Sequence, residues 1–214
     1  MKISGVILAR STDYLIARAI TSLRYFDEVL VYDSGSVDKT VQVAEMFGCR
    51  VVEGDFEKGF ATMKNRAIAE AKNDNVFVID CDEFIDPSVY FELKDSFMSN
   101  INAVVGFNRV NAYSLKKYIA EWFPDVQIRA FNKKVCKYEK EVHELLEYGK
   151  SKVSRSKFML YHNLCDDRKR NINNQLFYGA INKKALSKED AIAIVDRNVS
   201  KETKSIEELE RGQE

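Results

Sequence analysis

The chain has 214 residues, 45% of them hydrophobic, and its 33 Lys+Arg balance 33 Asp+Glu to a formal net charge of zero. That length allows one large domain or two small ones with a substantial core. It excludes a membrane-spanning helix, because no apolar stretch approaches the roughly 20 residues one needs. The segment Met1–Arg10 is too short in its apolar part for a signal peptide and lacks a small-residue cleavage site. Cys49, Cys81, Cys136 and Cys165 show neither paired spacing nor a zinc pattern and fit free thiols in a reducing cytosol. The charge is unevenly spread. Residues 1–104 carry 11 Lys+Arg against 17 Asp+Glu, residues 105–184 carry 17 against 8, and residues 185–214 carry 5 against 8. An acidic first part suits a cation, and a basic middle suits an anionic partner.

In chain order, Ile3–Ala9 is apolar and strand-like. Thr12–Arg24 carries Leu15, Ile16, Ala19, Ile20 and Leu23 at helical spacing. Glu28–Tyr32 is a second strand, running into Asp33-Ser34-Gly35-Ser36. Asp38 is placed to cap a helix that runs to Phe47 and stops at Gly48. Arg50–Glu53 is a short third strand, Gly59–Lys72 a third helix with its loop, and Asn75–Ile79 a fourth strand. This alternation predicts an α/β fold with a mostly parallel sheet and helices on both faces. Asp86-Pro87 opens a further helix to about Met98. Beyond it the pattern changes to a smaller mixed region. Ala103–Asn108, Val126–Phe131, Val135–Tyr138 and Lys157–His162 read as strands, and Asn171–Ala185 returns to helical spacing. Residues 188–214 read as a charged, exposed helical tail. The expected organisation is one domain over 1–187, with halves 1–100 and 101–187, followed by the tail.

The chemistry concentrates at strand ends. Asp80-Cys81-Asp82-Glu83 follows the apolar run Val76-Phe77-Val78-Ile79, and the carboxyl ends of strands are where open α/β sheets bind ligands. Three carboxylates within four residues repel one another, and a hard divalent cation such as Mg²⁺ or Mn²⁺ resolves that conflict. Asp33-Ser34-Gly35-Ser36 ends another strand, and carboxylates on strands two and four can face one crevice. Gly59 stands at a helix start with Lys64, Asn65 and Arg66 in its first turns, a placement that favours phosphate, although the Gly-Lys-Ser/Thr ending of a P-loop is absent. Both histidines lie in the second half, in Val142-His143-Glu144 and Tyr161-His162-Asn163. Cys81 reads as a small packing residue on the strand end. Each of these, taken alone, also has a structural reading as a turn or a solvated face.

Together the pieces resemble the family 2 glycosyltransferases of GT-A fold. The resemblance runs from Val6-Ile7-Leu8-Ala9-Arg10 through Asp27–Thr40, Gly59–Asn65 and Asp80-Cys81-Asp82-Glu83, over residue 2 to about 185. The later Glu141-Val142-His143-Glu144 and Tyr161-His162-Asn163 are similar to a subgroup of β-glucosyltransferase kind that extends the lipopolysaccharide core. One departure is visible: the family usually reads Ala-Arg-Asn-Glu after strand one, where this chain has Ala9-Arg10-Ser11-Thr12-Asp13. The resemblance implies inverting transfer from a nucleotide-sugar, a UDP-sugar favoured, to an anionic glycan or glycolipid hydroxyl. It implies a nucleotide-sugar site at Ala9, Arg10, Asp33, Lys64, Asp80 and Cys81. It also implies a Mn²⁺ or Mg²⁺ ion held by Asp82 with Asp80 and His162, and Glu144 as the base. A cytoplasmic location with peripheral membrane contact fits this reading, and a nucleic acid partner fits it poorly. The alternatives are a catalytically degenerate nucleotide- or glycan-binding module, kept open by Ser11-Thr12-Asp13, and a transferase acting on protein or nucleic acid. A haloacid-dehalogenase-type phosphatase is disfavoured, since its Asp-x-Asp follows the first strand and continues toward Thr.

Overall fold

In chain order the elements are β1 (Ile3–Ala9), α1 (Ile16–Ser22), β2 (Glu28–Asp33), α2 (Thr40–Met46), β3 (Arg50–Glu53), α3 (Gly59–Glu70), β4 (Asn75–Asp80), β5 (Glu83–Ile85) and α4 (Val89–Ser99). They continue with β6 (Val104–Tyr113), β7 (Lys117–Ile119), a 3-10 turn at Ala120–Trp122, β8 (Asp125–Asn132), β9 (Lys137–Glu139), β10 (Leu145–Glu147) and β11 (Val153–Leu164). The last are α5 (Lys188–Val199), β12 (Thr203–Ser205) and α6 (Ile206–Arg211). The computed structural model describes residues 1–55, 59–113, 116–140, 145–164, 186–199 and 203–211. The helix expected at Asn171–Ala185 lies outside the described residues. Among the described residues no helix is long and apolar enough to cross a membrane. The chain divides into two compact units, Met1–Arg109 with Val126–Leu160, and Val110–Asp125 with Tyr161–Glu214.

The first unit is built on the sheet order β3-β2-β1-β4-β8-β6, with β11 pairing β5 and β6. The strands β3, β2, β1 and β4 run parallel, and β8 joins β4 antiparallel. Every residue of β1 is buried, as a strand covered on both faces requires. Its side chains alternate between two cores. Ile3, Ile7 and Ala9 pack with Ile16, Ala19 and Leu23 of the α1 segment and with Val89, Leu93 and Phe97 of α4. Val6 and Leu8 pack with Met63, Ala67 and Ile68 of α3 and with Tyr138. Each such Leu, Ile or Phe contributes about 1.5–3 kcal/mol by leaving water. Gly5 is on the α1 face, where an added Cβ would lie 2.8 Å from Leu23 Cδ1. The missing side chain therefore sets how closely α1 can approach.

Local sequence explains most boundaries. The helical spacing from Thr12 predicts an earlier start for α1 than is found. Thr12 instead opens a turn, its carbonyl accepting from the amides of Leu15 at 2.9 Å and Ile16 at 3.0 Å. The N-cap of α2 is Lys39 instead of the expected Asp38, which stands one residue earlier and accepts from Thr40 N at 3.0 Å through Oδ1. Gly48, at φ 75°, ends the segment in the left-handed region that glycine enters without penalty.

In the second unit β12 pairs antiparallel with β7, which pairs with Ala112 and Tyr113 of β6. Here the sequence expectation is corrected. Residues 188–214 were expected to form an exposed tail, yet Ala191 and Val195 of α5 and Ile206 of α6 are buried. The start of α5 is closed by a reciprocal cap: Ser187 Oγ accepts from Asp190 N at 3.0 Å, and Asp190 Oδ2 accepts from Ser187 N at 3.1 Å. Charge count hid this packing, because the buried residues are few: two on one face of α5, four apart, and one at the start of α6.

Candidate functional site

The strand order places a topological switch between β1 and β4: the chain winds β1, β2, β3 to one side and then returns to add β4 on the other. Such a switch opens a crevice at the carboxyl ends of the strands. The register puts Ala9 beside Asp33 of β2 and Leu8 beside Asp80 of β4, so the two acidic strand ends flank the end of β1.

On the β2 side, Asp33 is only 4% exposed. Its Oδ2 accepts from the amides of Gly35 at 3.2 Å and Ser36 at 3.0 Å, and its Oδ1 accepts from Ser36 Oγ. Gly35, at φ 93°, allows the turn that brings those donors round. The Asp33 carboxylate thus organises its own loop. The Ala9 carbonyl accepts from Ser34 N at 3.0 Å and Ser34 Oγ at 3.1 Å, and Arg10 is exposed. The segment that departs from the family pattern is laced to the same loop. Ser11 N donates to Ser36 Oγ at 2.7 Å, Thr12 N to Thr40 Oγ1 at 2.7 Å and Asp13 N to Asp38 Oδ2 at 3.2 Å. Three successive amides are satisfied by two side chains of the β2–α2 connection and one from the first residue of α2, which holds Ser11 at φ 50°.

On the β4 side, the Asp80 side chain is 36% exposed and Asp82 is partly buried. Asp80 faces two cations: Arg129 Nη2 donates to its Oδ2 at 3.1 Å, and Lys64 Nζ lies 3.9 Å from its Oδ1. Glu83, 1% exposed, accepts from Asp80 N at 3.1 Å through Oε2, and its Oε1 accepts from Arg129 Nη2 at 2.5 Å and Arg109 Nη1 at 3.3 Å. Lys64 is buried on α3, with its ammonium 5.2 Å from the centre of the Tyr138 ring, a cation–π arrangement. Burial opposes the charge on Arg129, but Glu83 and then Asp80 outweigh it and raise its pKa, so the guanidinium stays charged. The Cys81 thiol belongs to the core. Burial, followed by Asp82 and Asp80, pushes its pKa up to about 12, so at neutral pH it is a protonated packing group.

In the second unit, Asn111 Nδ2 donates to Asp125 Oδ2 at 3.4 Å, which turns Asn111 Oδ1 toward His162 Nδ1 at 2.7 Å. A carbonyl oxygen there favours hydrogen on Nδ1 and a lone pair on Nε2, the form in which histidine ligates metals. Glu144, together with His143 and Glu141, lies outside the described residues.

The donor set suits a hard cation. Asp80 and Asp82 are carboxylates two residues apart, both open to solvent in part. Among the described residues no group of three or more His, Cys, Asp or Glu could hold a metal unaided. Mg²⁺ and Mn²⁺ sites of that kind complete their shells with diphosphate oxygens and water. Within this pair, Asp80 is held by Arg129 and Lys64.

Reading the sequence singled out Lys64 and the acidic turn but missed Arg129, Arg109 and Tyr138. For Arg129 a signal existed: it is the one charged residue in the otherwise apolar stretch Ile128-Arg129-Ala130-Phe131. An arginine there is either at a strand edge or buried against carboxylates.

The profile described as Glycosyl transferase family 2 matches residues 7–158. An uncharacterized glycosyltransferase of Rickettsia bellii is 36% identical over 119 residues, 55% of this chain and 38% of that protein. One of Rickettsia typhi is 30% identical over 152 residues, 66% of this chain and 50% of that protein. The chain therefore matches half or less of the length of these curated relatives. Among solved structures, glucosyl-3-phosphoglycerate synthase from Mycobacterium tuberculosis, in complex with Mn²⁺, UDP and glucosyl-3-phosphoglycerate, is similar at 26% identity and a TM-score of 0.43, over 52% of this chain and 44% of that one.

Proposed function

The chain belongs to glycosyl transferase family 2, and on that premise we propose that it moves a sugar, with inversion, from a nucleoside-diphosphate sugar to an acceptor hydroxyl. The observation that carries this reading is the pairing of Asp33 and Asp80 on either side of the end of β1, with Asp82 beside them and the buried cations Lys64 and Arg129 packed against Asp80. A diphosphate brings two or more negative charges, and this strand edge offers cations and oxygen ligands together.

In the reaction, the acceptor oxygen attacks the anomeric carbon while the bond from that carbon to the diphosphate oxygen breaks. The leaving diphosphate takes the electron pair, and Glu144 takes the acceptor proton. Glu144 is assigned by its place in Val142-His143-Glu144, and a positioned base of this kind is typically worth 10²–10⁴-fold. A Mn²⁺ or Mg²⁺ ion, when bound, neutralises charge on the leaving diphosphate. Asp82 would hold that ion with Asp80 in support, and the family resemblance adds His162 as a ligand. Ala9 and Arg10 would meet the donor at the end of β1, and Asp33 would shape the loop that receives its nucleoside. The backbone of Cys81 would serve the donor, since its thiol is in the core.

A UDP-sugar is the favoured donor. The basic stretch over 105–184 fits an anionic glycan or glycolipid acceptor, such as a lipopolysaccharide core or another cell-surface glycan. Peripheral contact with the inner face of a membrane fits the same charge. The test is a thermal-shift screen of nucleotide-sugars with and without Mn²⁺, followed by turnover. One donor is expected to stabilise the chain only with metal. Glu144→Gln is expected to bind that donor as the parent does while losing transfer by at least 10²-fold. No metal-dependent shift with any nucleotide-sugar would overturn the reading.

A further inference from the structure

We propose that Arg129 is a positioning residue for the acidic turn that follows β4. The contacts form a closed ring: Asp80 N donates to Glu83 Oε2 at 3.1 Å, Arg129 Nη2 donates to Glu83 Oε1 at 2.5 Å, and the same nitrogen donates to Asp80 Oδ2 at 3.1 Å. The ring ties both ends of the four-residue turn to one guanidinium and so fixes the direction in which Asp82, between them, leaves the backbone. Arg129 comes from β8, which is hydrogen-bonded to β4 as its antiparallel neighbour, so the tether is anchored in the sheet.

Two observations set this cluster apart from ordinary stabilisation. Arg129 is 3% and Glu83 1% exposed, and a desolvated ion pair of this kind is seldom more stable than well-packed apolar residues in its place. Arg129 Nε is buried and has no hydrogen-bond acceptor among the described residues. Buried donors are almost always paired. This guanidinium forgoes one partner while holding two carboxylates through Nη2, a geometry that serves the turn rather than the arginine. The ring also divides labour within the turn: Asp80 is committed to Arg129 and Lys64, and Asp82 is the carboxylate oriented for a cation.

The inference rests on the proposed donor site for its consequence, but not for its geometry, and the experiment separates the two. The double variant Arg129→Met with Glu83→Gln removes both buried charges together, which preserves the core, and leaves an amide oxygen for Asp80 N. In the full chain, hydrogen exchange of residues 80–85 is expected to quicken at least tenfold relative to the parent, with β1 unchanged. The dissociation constant for UDP with Mn²⁺, measured by calorimetry, is expected to rise at least tenfold. Arg129→Lys keeps the charge but loses the guanidinium's reach. It is expected to show the same changes at smaller size, and it serves if the double variant does not fold. Exchange over 80–85 equal to the parent's would overturn the proposal, as would unchanged UDP affinity in a variant whose exchange had quickened. If the parent chain itself fails to bind UDP with Mn²⁺, the donor reading falls, and exchange over 80–85 still decides whether Arg129 holds the turn.

Discussion

Asp80 and Asp82 are two residues apart in one turn, and the surroundings of Asp80 are cationic. Asp80 has Arg129 Nη2 at 3.1 Å and Lys64 Nζ at 3.9 Å. In the proposed metal site Asp80 is the supporting carboxylate, because drawing it away would leave the buried Arg129 and Lys64 short of a partner. Asp82→Ala is therefore expected to leave the fold intact and to weaken Mn²⁺-dependent nucleotide-sugar binding at least tenfold, about 1.4 kcal/mol. Calorimetric titration with and without Mn²⁺ measures this, and an Asp82→Ala chain that retains the parent's metal-dependent affinity would contradict it. The acidic turn was legible in the sequence because three carboxylates within four residues directly follow an apolar run. Its cationic partners were not: Arg129 stands 49 residues from Asp80, and a sequence shows no such proximity.

At the scale of elements, close approach of backbone to side chain decides how the sheet edge is built. Gly54 follows β3, its amide donating to the Asp33 carbonyl at 2.8 Å, and the buried Tyr32 ring lies over it. A Cβ on Gly54 would come within 2.1 Å of Tyr32 Cζ and Oη. Gly54→Ala is expected to lower stability by about 1–3 kcal/mol as the ring is forced from its site. Urea unfolding followed by circular dichroism reads this, and a stability equal to the parent's would show that Tyr32 moves aside freely. The parallel strands and their helices were legible to within a few residues, because apolar runs and turn residues are local signals. The short strands β5, β7 and β10 were missed, being three residues each. So few residues carry no periodicity, and these strands exist because a neighbouring strand supplies their hydrogen bonds.

For the molecule as a whole, acid sensitivity follows from a buried carboxylate between three elements. Glu28, at the start of β2, accepts from Ser4 Oγ of β1 at 2.6 Å, from Lys72 N after α3 at 2.7 Å and from Arg50 Nε of β3 at 3.1 Å. Burial raises its pKa, but the hydrogen bonds from Ser4, Lys72 and Arg50 outweigh it, and the net shift is downward. A carboxylate with a folded pKa below its unfolded value stabilises the fold above the unfolded value, near pH 4.5. That contribution is lost as pH falls through the folded value. Chemical denaturation between about pH 3 and pH 6 should show stability falling below about pH 4.5. The fall should be shallower in Glu28→Gln. An identical slope in that variant would remove Glu28 from the account.

The sequence by itself determined the α/β class, the parallel succession of the first four strands and the two acidic strand ends, since each rests on neighbours within about a dozen residues. The family followed from the order of those same motifs. Tertiary structure alone decided three things. The register of β1 with β2 and β4 set Asp33 and Asp80 on either side of the end of β1. The antiparallel docking of β8 delivered Arg129 to the acidic turn. The burial of Ala191, Val195 and Ile206 turned a charged tail into packed structure. In each case the physical reason is the same. Burial and pairing are made between segments far apart in the chain, and a residue's charge or polarity acquires its role only from the partner that the fold brings to it.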